Sequence, residues 1–243
     1  VFYSEDGDPR SRFFRDARAT EKGKGIWEAQ LPKLDSKAPI FAYAHIYYDL
    51  PKPEPLSRNR TVEQMCLSSN LLVAKPEELK NAGVKATAKP SLLIDDFKRG
   101  FHDWYSLNKN HQSLWQHWTR KVTDAMYRGP EKALLSLEME SERPNSFVVV
   151  LQQNTWRAYR GKKGTFVSVV DLQGGKPETV RLRSDDFKEV QTGTALQAWA
   201  ELDLLGLCAK YPVNRGKAKT FPERPWKGPH PKFIRLQWEV KGS

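Results

Sequence analysis

Apolar and polar positions alternate through the first fifty residues. Trp27, Ala29 and Leu31 fall on one side of a period of two, with Glu28 and Gln30 on the other. Ile40, Ala42, Ala44, Ile46 and Tyr48 repeat the pattern against Phe41, Tyr43 and Tyr47. Successive side chains of a strand point to opposite faces, so this period predicts sheet strands. Residues 32–37 supply the turn chemistry between them. Some three strands make only part of a sandwich, and residues 1–55 therefore read as a small or truncated β-sandwich unit. The chain opens on Val1-Phe2-Tyr3, already strand-like, so a preceding segment is expected.

Pro51, Pro53 and Pro55 alternate with polar residues, a stiff, extended stretch that reads as a linker and domain boundary. Residues 61–74 suit one or two short strands. Residues 76–83 suit a short helix, with Pro76 at its first turn, Glu77 and Glu78 behind it, and Gly83 as its stop. From Leu92 the pattern predicts strands at 92–97, 115–124, 133–140, 146–152, 165–172, 178–183, 196–208 and 232–240. In the last, Ile234, Leu236, Trp238 and Val240 are expected to point inward. Eight strands with short turns fit a two-sheet sandwich or jelly roll. The expected fold class is thus mostly β: a jelly-roll-like module over 60–243, preceded by the small unit.

The formal net charge is +11. It is unevenly spread: residues 1–58 carry ten Lys/Arg against nine Asp/Glu, whereas residues 210–243 carry nine against two. Polyanions are compatible partners, although a solvated basic face explains charge alone. No apolar run approaches the roughly 20 residues of a membrane span, and no membrane partner is expected. Cys66 and Cys208 both lie in apolar runs, which predicts buried thiols and leaves one bridge open.

Motifs for chemistry are missing. There is no Gly-x-Ser-x-Gly elbow, phosphate loop, His-Glu-x-x-His or Gly-x-Gly-x-x-Gly. His102, His111 and His117 stand near Asp103, but their spacing fits polar loop histidines better than metal ligands. His45 suits a structural role on a strand. No catalytic residue is assigned, and the chain alone reads as leaning away from being an enzyme.

Eight tryptophans remain to be placed. Trp27, Trp199 and Trp238 sit in phase with aliphatic neighbours and should be core. Trp104, Tyr105, Trp115 and Trp118 lie among Asn108, Asn110, Gln116 and His117. Trp156 and Tyr159 alternate with Arg157, Arg160, Lys162 and Lys163. Aromatic rings amid polar groups suit the C–H faces and hydroxyls of a sugar. Trp104, Tyr105, Trp115, Trp156, Arg157, Tyr159 and Arg160 are therefore the candidate ligand-binding residues. Segment 154–163 equally suits a polyanion or single-stranded nucleic acid, by stacking bases and neutralising phosphates.

In order along the chain, Leu93-Ile94-Asp95-Asp96-Phe97, Thr179-Val180-Arg181-Leu182, Leu196-Gln197-Ala198-Trp199 and Phe233 to Val240 resemble the strands of galactose-binding-domain-like sandwiches, the jelly roll of many carbohydrate-binding modules. The likeness implies polysaccharide binding, including acidic or sulfated polymers. It also implies one structural calcium ion where the first and last strands meet, with Asp95, Asp96 and Glu239 as the matching acids. Asp8 to Ala17, Trp27 to Pro32 and Phe41 to Tyr48 resemble the small sandwich that follows the catalytic domain in bacterial secreted α/β-hydrolases of the acetyl-xylan esterase and dienelactone-hydrolase type. That implies a secreted or periplasmic chain whose partner is an upstream catalytic domain of the same parent protein. The alternative is a structural appendage that packs on that domain and holds no ligand.

Overall fold

The computed structural model describes residues 1–57, 60–154, 163–213 and 218–240. The protein is mostly β and divides into two compact units, Val1–Ala88 and Lys89–Ser243.

The first unit contains β1 (Phe2–Ser4), β2 (Arg15–Asp16), β3 (Ala19–Gly23), β4 (Ile26–Ala29), β5 (Ile40–Tyr43), β6 (His45–Ser57), β7 (Arg60–Ser68) and β8 (Leu72–Ala74). The helix α1 (Pro76–Asn81) follows where the sequence predicts it, with Leu79 as its buried residue. Strands β2-β1-β5-β8 form one antiparallel sheet, and β3–β4 and β6–β7 are separate two-stranded ribbons. A small or truncated sandwich is the expectation here; the unit has one four-stranded sheet and two ribbons.

The proline run is not a boundary. It lies inside β6, and the units divide after Ala88 instead. Pairing of β6 with β7 lapses between Asp49 and Glu54, where Pro51 and Pro53 have no N–H to donate. The ribbon also leaves Cys66 exposed opposite Tyr47, because a two-stranded ribbon has no second layer to cover it. Trp27, expected in the core, is 62% exposed on the β3–β4 ribbon for the same reason.

Glu5 ties the unit together. Its carboxylate accepts from Arg15 Nη2 at 2.7 Å and from the backbone N–H groups of Leu34 and Asp35 at 2.9 and 3.0 Å. The buried Lys33 ammonium lies 3.5 Å away and donates to Ala38 O. Burial works against the charged carboxylate, but Arg15 and the two amides hold Glu5 below its ordinary value.

The second unit contains β9 (Leu93–Asp95), β10 (Tyr105–Leu107), β11 (Gln116–Thr119), β12 (Leu134–Glu140), β13 (Asn145–Gln153), β14 (Gly164–Leu172), β15 (Pro177–Leu182), β16 (Lys188–Glu189), β17 (Leu202–Cys208), β18 (Tyr211–Val213), β19 (Lys219–Phe221) and β20 (Lys232–Glu239). A six-stranded sheet runs β10-β11-β17-β13-β14-β16 and a four-stranded sheet β15-β12-β20-β9, with antiparallel pairing throughout. Leu135, Leu137, Leu236 and Trp238 of the smaller sheet share one apolar core with Phe147, Val149, Leu205 and Leu207 of the larger. This is a β-sandwich.

Each of the eight stretches predicted after Leu92 contains a strand, although 196–208 is strand only over Leu202–Cys208 and 115–124 only over Gln116–Thr119, before a 3₁₀ turn. The last differs in phase. A bulge lies where Glu138 pairs with Arg235 but Met139 pairs with Phe233, so Ile234 is the extra residue. Phe233, Leu236 and Trp238 are buried while Ile234 is half-buried and Val240 is exposed. The larger sheet is also covered on its outer face, by Trp118, Val148, Val150, Val167 and Leu204 packing with Val213. Gly206 makes room there. A Cβ at that position would come within 2.5 Å of the Trp118 ring.

Glu5→Gln is expected to lower the stability of the first unit by about 3 kcal/mol, because Arg15 and Lys33 stay buried without their anion. A carboxyl held below its unfolded value stabilises at neutral pH and stops doing so as pH falls through the folded value. Urea unfolding of the whole chain at pH 7 and pH 3 checks this. The gap between wild type and variant should close at the lower pH.

Candidate functional site

Two clefts flank the loop that joins β9 to β10. The first, about 330 Å³, is lined by Asp95, Asp96, Arg99, His102, Asp103 and Lys121 among others. Lys121 begins a 3₁₀ turn (Lys121–Thr123) directly after β11, and its side chain is buried. Its ammonium donates to Asp95 Oδ2 at 2.7 Å and to Ile94 O at 3.0 Å, and lies 2.9 Å from Asp103 Oδ2. Three oxygens match three N–H donors. Asp95 Oδ2 also accepts from Trp104 Nε1 at 2.7 Å, and Asp95 Oδ1 from the Phe97 amide at 2.8 Å. Phe97 adopts φ of 50°, uncommon for a bulky residue. The Asp95 bond helps to hold it there.

The three acids suggested for calcium are separated by this arrangement. Asp95 serves Lys121 and Trp104, Asp96 pairs with Lys98 at 3.0 Å, and Glu239 pairs with Arg181 at 2.7 Å. The strands β9 and β20 do meet, but Asp95 lies opposite Leu236 and Glu239 opposite Leu134. Among the described residues no three His, Cys, Asp or Glu side chains cluster in a way that would hold a metal ion.

The second cleft, about 620 Å³, opens at the edge of the sandwich. Phe101, Trp104, Ser106, Lys109, Asn110, His117 and His230 line it. Its geometry follows from strand register. Ser106 on the edge strand β10 pairs with His117 on β11, which pairs with Leu207 on β17. These positions all face the inner layer. Deep in the sheet the position is apolar; at the edge it is polar and reaches the cleft. The Phe101 ring stacks on the His117 ring, centroids 3.6 Å apart and planes 7° apart.

His230 comes from the loop before β20. Buried Trp226 anchors that loop, donating its Nε1 hydrogen to Pro229 O, and the Asn145 side chain clamps the backbone of Lys227 in both directions. His230 Nδ1 lies 2.8 Å from Pro231 O, His230 Nε2 lies 2.7 Å from His117 Nε2, and His117 Nδ1 lies 2.7 Å from Ser106 Oγ. A carbonyl only accepts, so His230 carries its proton on Nδ1. In the neutral ring its Nε2 must then accept from His117 Nε2, leaving His117 Nδ1 to accept from the Ser106 hydroxyl. The chain of bonds runs one way from Ser106 to Pro231. Burial, then the neighbouring His230, hold His117 down to about 3. Burial also lowers His230, outweighing its bond to Pro231 O.

The predicted ligand-binding residues are dispersed. Trp104 is 8% exposed and turns its N–H inward to Asp95; it edges the second cleft without offering a free ring face. Trp115 is fully buried against Trp226, His230 and Phe233. Neither can stack on a sugar as expected, because both complete the inner layer. Tyr105 is 46% exposed, but alternation along β10 puts it on the outer face beside Trp118. Trp156, Arg157, Tyr159 and Arg160 lie outside the described residues, as does most of the 154–163 segment suggested for nucleic acid. His102 and His111 are exposed, and neither joins His117. The partners of His117 are Ser106 and His230, the latter 113 residues away with no local spacing to signal it.

Comparison with family models, curated proteins and solved structures gave no match.

Lys121→Met is expected to cost about 3–5 kcal/mol by urea unfolding, since Asp95 and Asp103 lose their counter-charge. A loss below about 1 kcal/mol would show that water reaches the pair. A histidine whose folded value is depressed makes stability fall as pH drops below the unfolded value of about 6.5. Wild type should therefore lose stability between pH 6.5 and 4 more steeply than His117→Gln, measured at matched ionic strength.

Proposed function

We propose that the second unit is a non-catalytic carbohydrate-binding module that takes a sugar residue in the cleft at Phe101, Ser106, Lys109, Asn110 and His230. The observation that carries this reading is the cleft's make-up: ring surface from Phe101 beside neutral hydrogen-bonding groups, at the open edge of a sandwich. A sugar ring offers a C–H face to the first and hydroxyls to the second. Lys109 adds one cation, which suits uronic or sulfated residues. A two-sheet sandwich is compatible with the resemblance of residues 92–240 to galactose-binding-like jelly rolls, and the place in a larger secreted hydrolase rests on the separate resemblance of residues 1–50.

A second reading rests on a separate observation in the first unit. Ile46 and Tyr48 of β6 pair with Leu67 and Met65 of β7, and all four are exposed by 46% or more. An apolar strip on a ribbon that cannot be stable alone suits packing against another domain. On this reading the chain is an appendage of its catalytic partner.

Affinity electrophoresis in EDTA, over neutral xylan and galactan and over uronic and sulfated polymers, separates the two. Binding to one glycan class that survives 0.5 M salt is expected, with Asn110→Ala weakening it about 10-fold. Absence of any glycan binding, or full affinity in Asn110→Ala, would sink the cleft assignment, and absence would favour the appendage.

A further inference from the structure

The two imidazoles of the second cleft carry more than a hydrogen bond. Their Nε2 atoms converge at 2.7 Å in an open cleft. Each Nδ1 faces an oxygen that can accept: Ser106 Oγ for His117 and Pro231 O for His230. Metal-binding histidines are arranged this way, one nitrogen on the ion and the other donating to an outer oxygen that sets tautomer and ring orientation. The rings are also fixed before any ion arrives. Phe101 stacks on His117, and Trp115 and Phe233 pack against His230 at 4.9 and 5.9 Å.

We propose that His117 and His230 form a two-histidine site for a divalent transition-metal ion of the Zn²⁺ class, completed by water and an exogenous ligand. This is independent of the carbohydrate reading. Zn–N bonds of about 2.0–2.1 Å place two tetrahedral ligands roughly 3.3 Å apart. The nitrogens must therefore separate by only about 0.6 Å, which the exposed loop at His230 can supply. In the empty site the proton on His117 Nε2 bridges the rings. On binding it moves to Nδ1, and the Ser106 hydroxyl turns from donor to acceptor. The exchange moves one proton within the His117 ring, and no proton leaves the protein. The ligands are nitrogen without carboxylate, which favours Zn²⁺, Ni²⁺ or Cu²⁺ over Ca²⁺ or Mg²⁺. Lys109 on the same cleft biases the exogenous ligand toward an anion.

Calorimetric titration of Zn²⁺ into the metal-free whole chain at pH 7.5 tests the site. One equivalent should bind, Ca²⁺ should not compete, and His111→Ala should change nothing. Ser106→Ala should weaken binding about 10-fold, the lower end of what losing an outer-shell partner costs. His230→Ala, an exposed substitution whose fold circular dichroism verifies, should weaken it by more than about 100-fold. In parallel, long-range ¹H–¹⁵N spectra should show the His117 proton moving from Nε2 to Nδ1. No uptake, or an unchanged isotherm in His230→Ala, would overturn the proposal, whatever the glycan result.

Discussion

A buried ammonium organises one end of the second unit. Lys121 opens the 3₁₀ turn just beyond β11, yet its three partners come from β9 and from the loop after it. A lysine there is costly unless every N–H and the charge itself are answered. Ile94, Asp95 and Asp103 answer them. Asp95 then extends the order outward, by accepting from the Phe97 amide and from Trp104. Phe97 in turn packs against Phe101, Trp104 and Phe233. One charge thereby fixes the β9–β10 loop, and that loop forms a wall of both clefts.

The same dependence explains why the clefts sit at the edge. The larger sheet has apolar cover on both faces, so its central strands present no polar side-chain row to solvent. Only where β10 ends the sheet does the inner row become Ser106 and His117. A polar pair in that position is tolerated because each atom has a partner. Trp115 marks the limit of the arrangement. It is fully buried, and its indole N–H finds no acceptor among the described residues, a cost accepted where the inner layer meets the cleft.

The period-two pattern made the long strands of the sandwich legible, because each buries one or both faces and its length exceeds the turn signals around it. β10, β16, β18 and β19 are two or three residues long and leave no pattern to read. The Ile234 bulge was hidden for a different reason: one extra residue inverts the phase of the strand end without changing its composition. Alternation at Trp27, Ile46 and Tyr48 does mark strands. Their burial was not legible, since two-stranded ribbons alternate as well as covered sheets do. For the site, Asn110 and His117 fell within a cluster visible in the sequence, whereas His230 did not. Its approach to His117 depends on the Trp226 anchor and the Asn145 clamp, which are tertiary facts.

A serine bonded to a histidine in an open cleft invites comparison with a hydrolase, and the physical chemistry argues the other way. A general base must take up a proton at the transition state, and a third group, usually a carboxylate, stabilises the imidazolium that results. Here the third group is a neutral imidazole, itself committed to a carbonyl. It offers His117 no negative charge, and burial keeps His117 near 3, far below the range in which a base works at neutral pH. The features that make the ring a poor base make it a good neutral ligand. It stays deprotonated, it is held rigidly by Phe101, and its outer nitrogen has a hydroxyl that can reverse its role. The Ser106–His117–His230 chain therefore does not supply the charge-stabilised base of a Ser-His-acid triad.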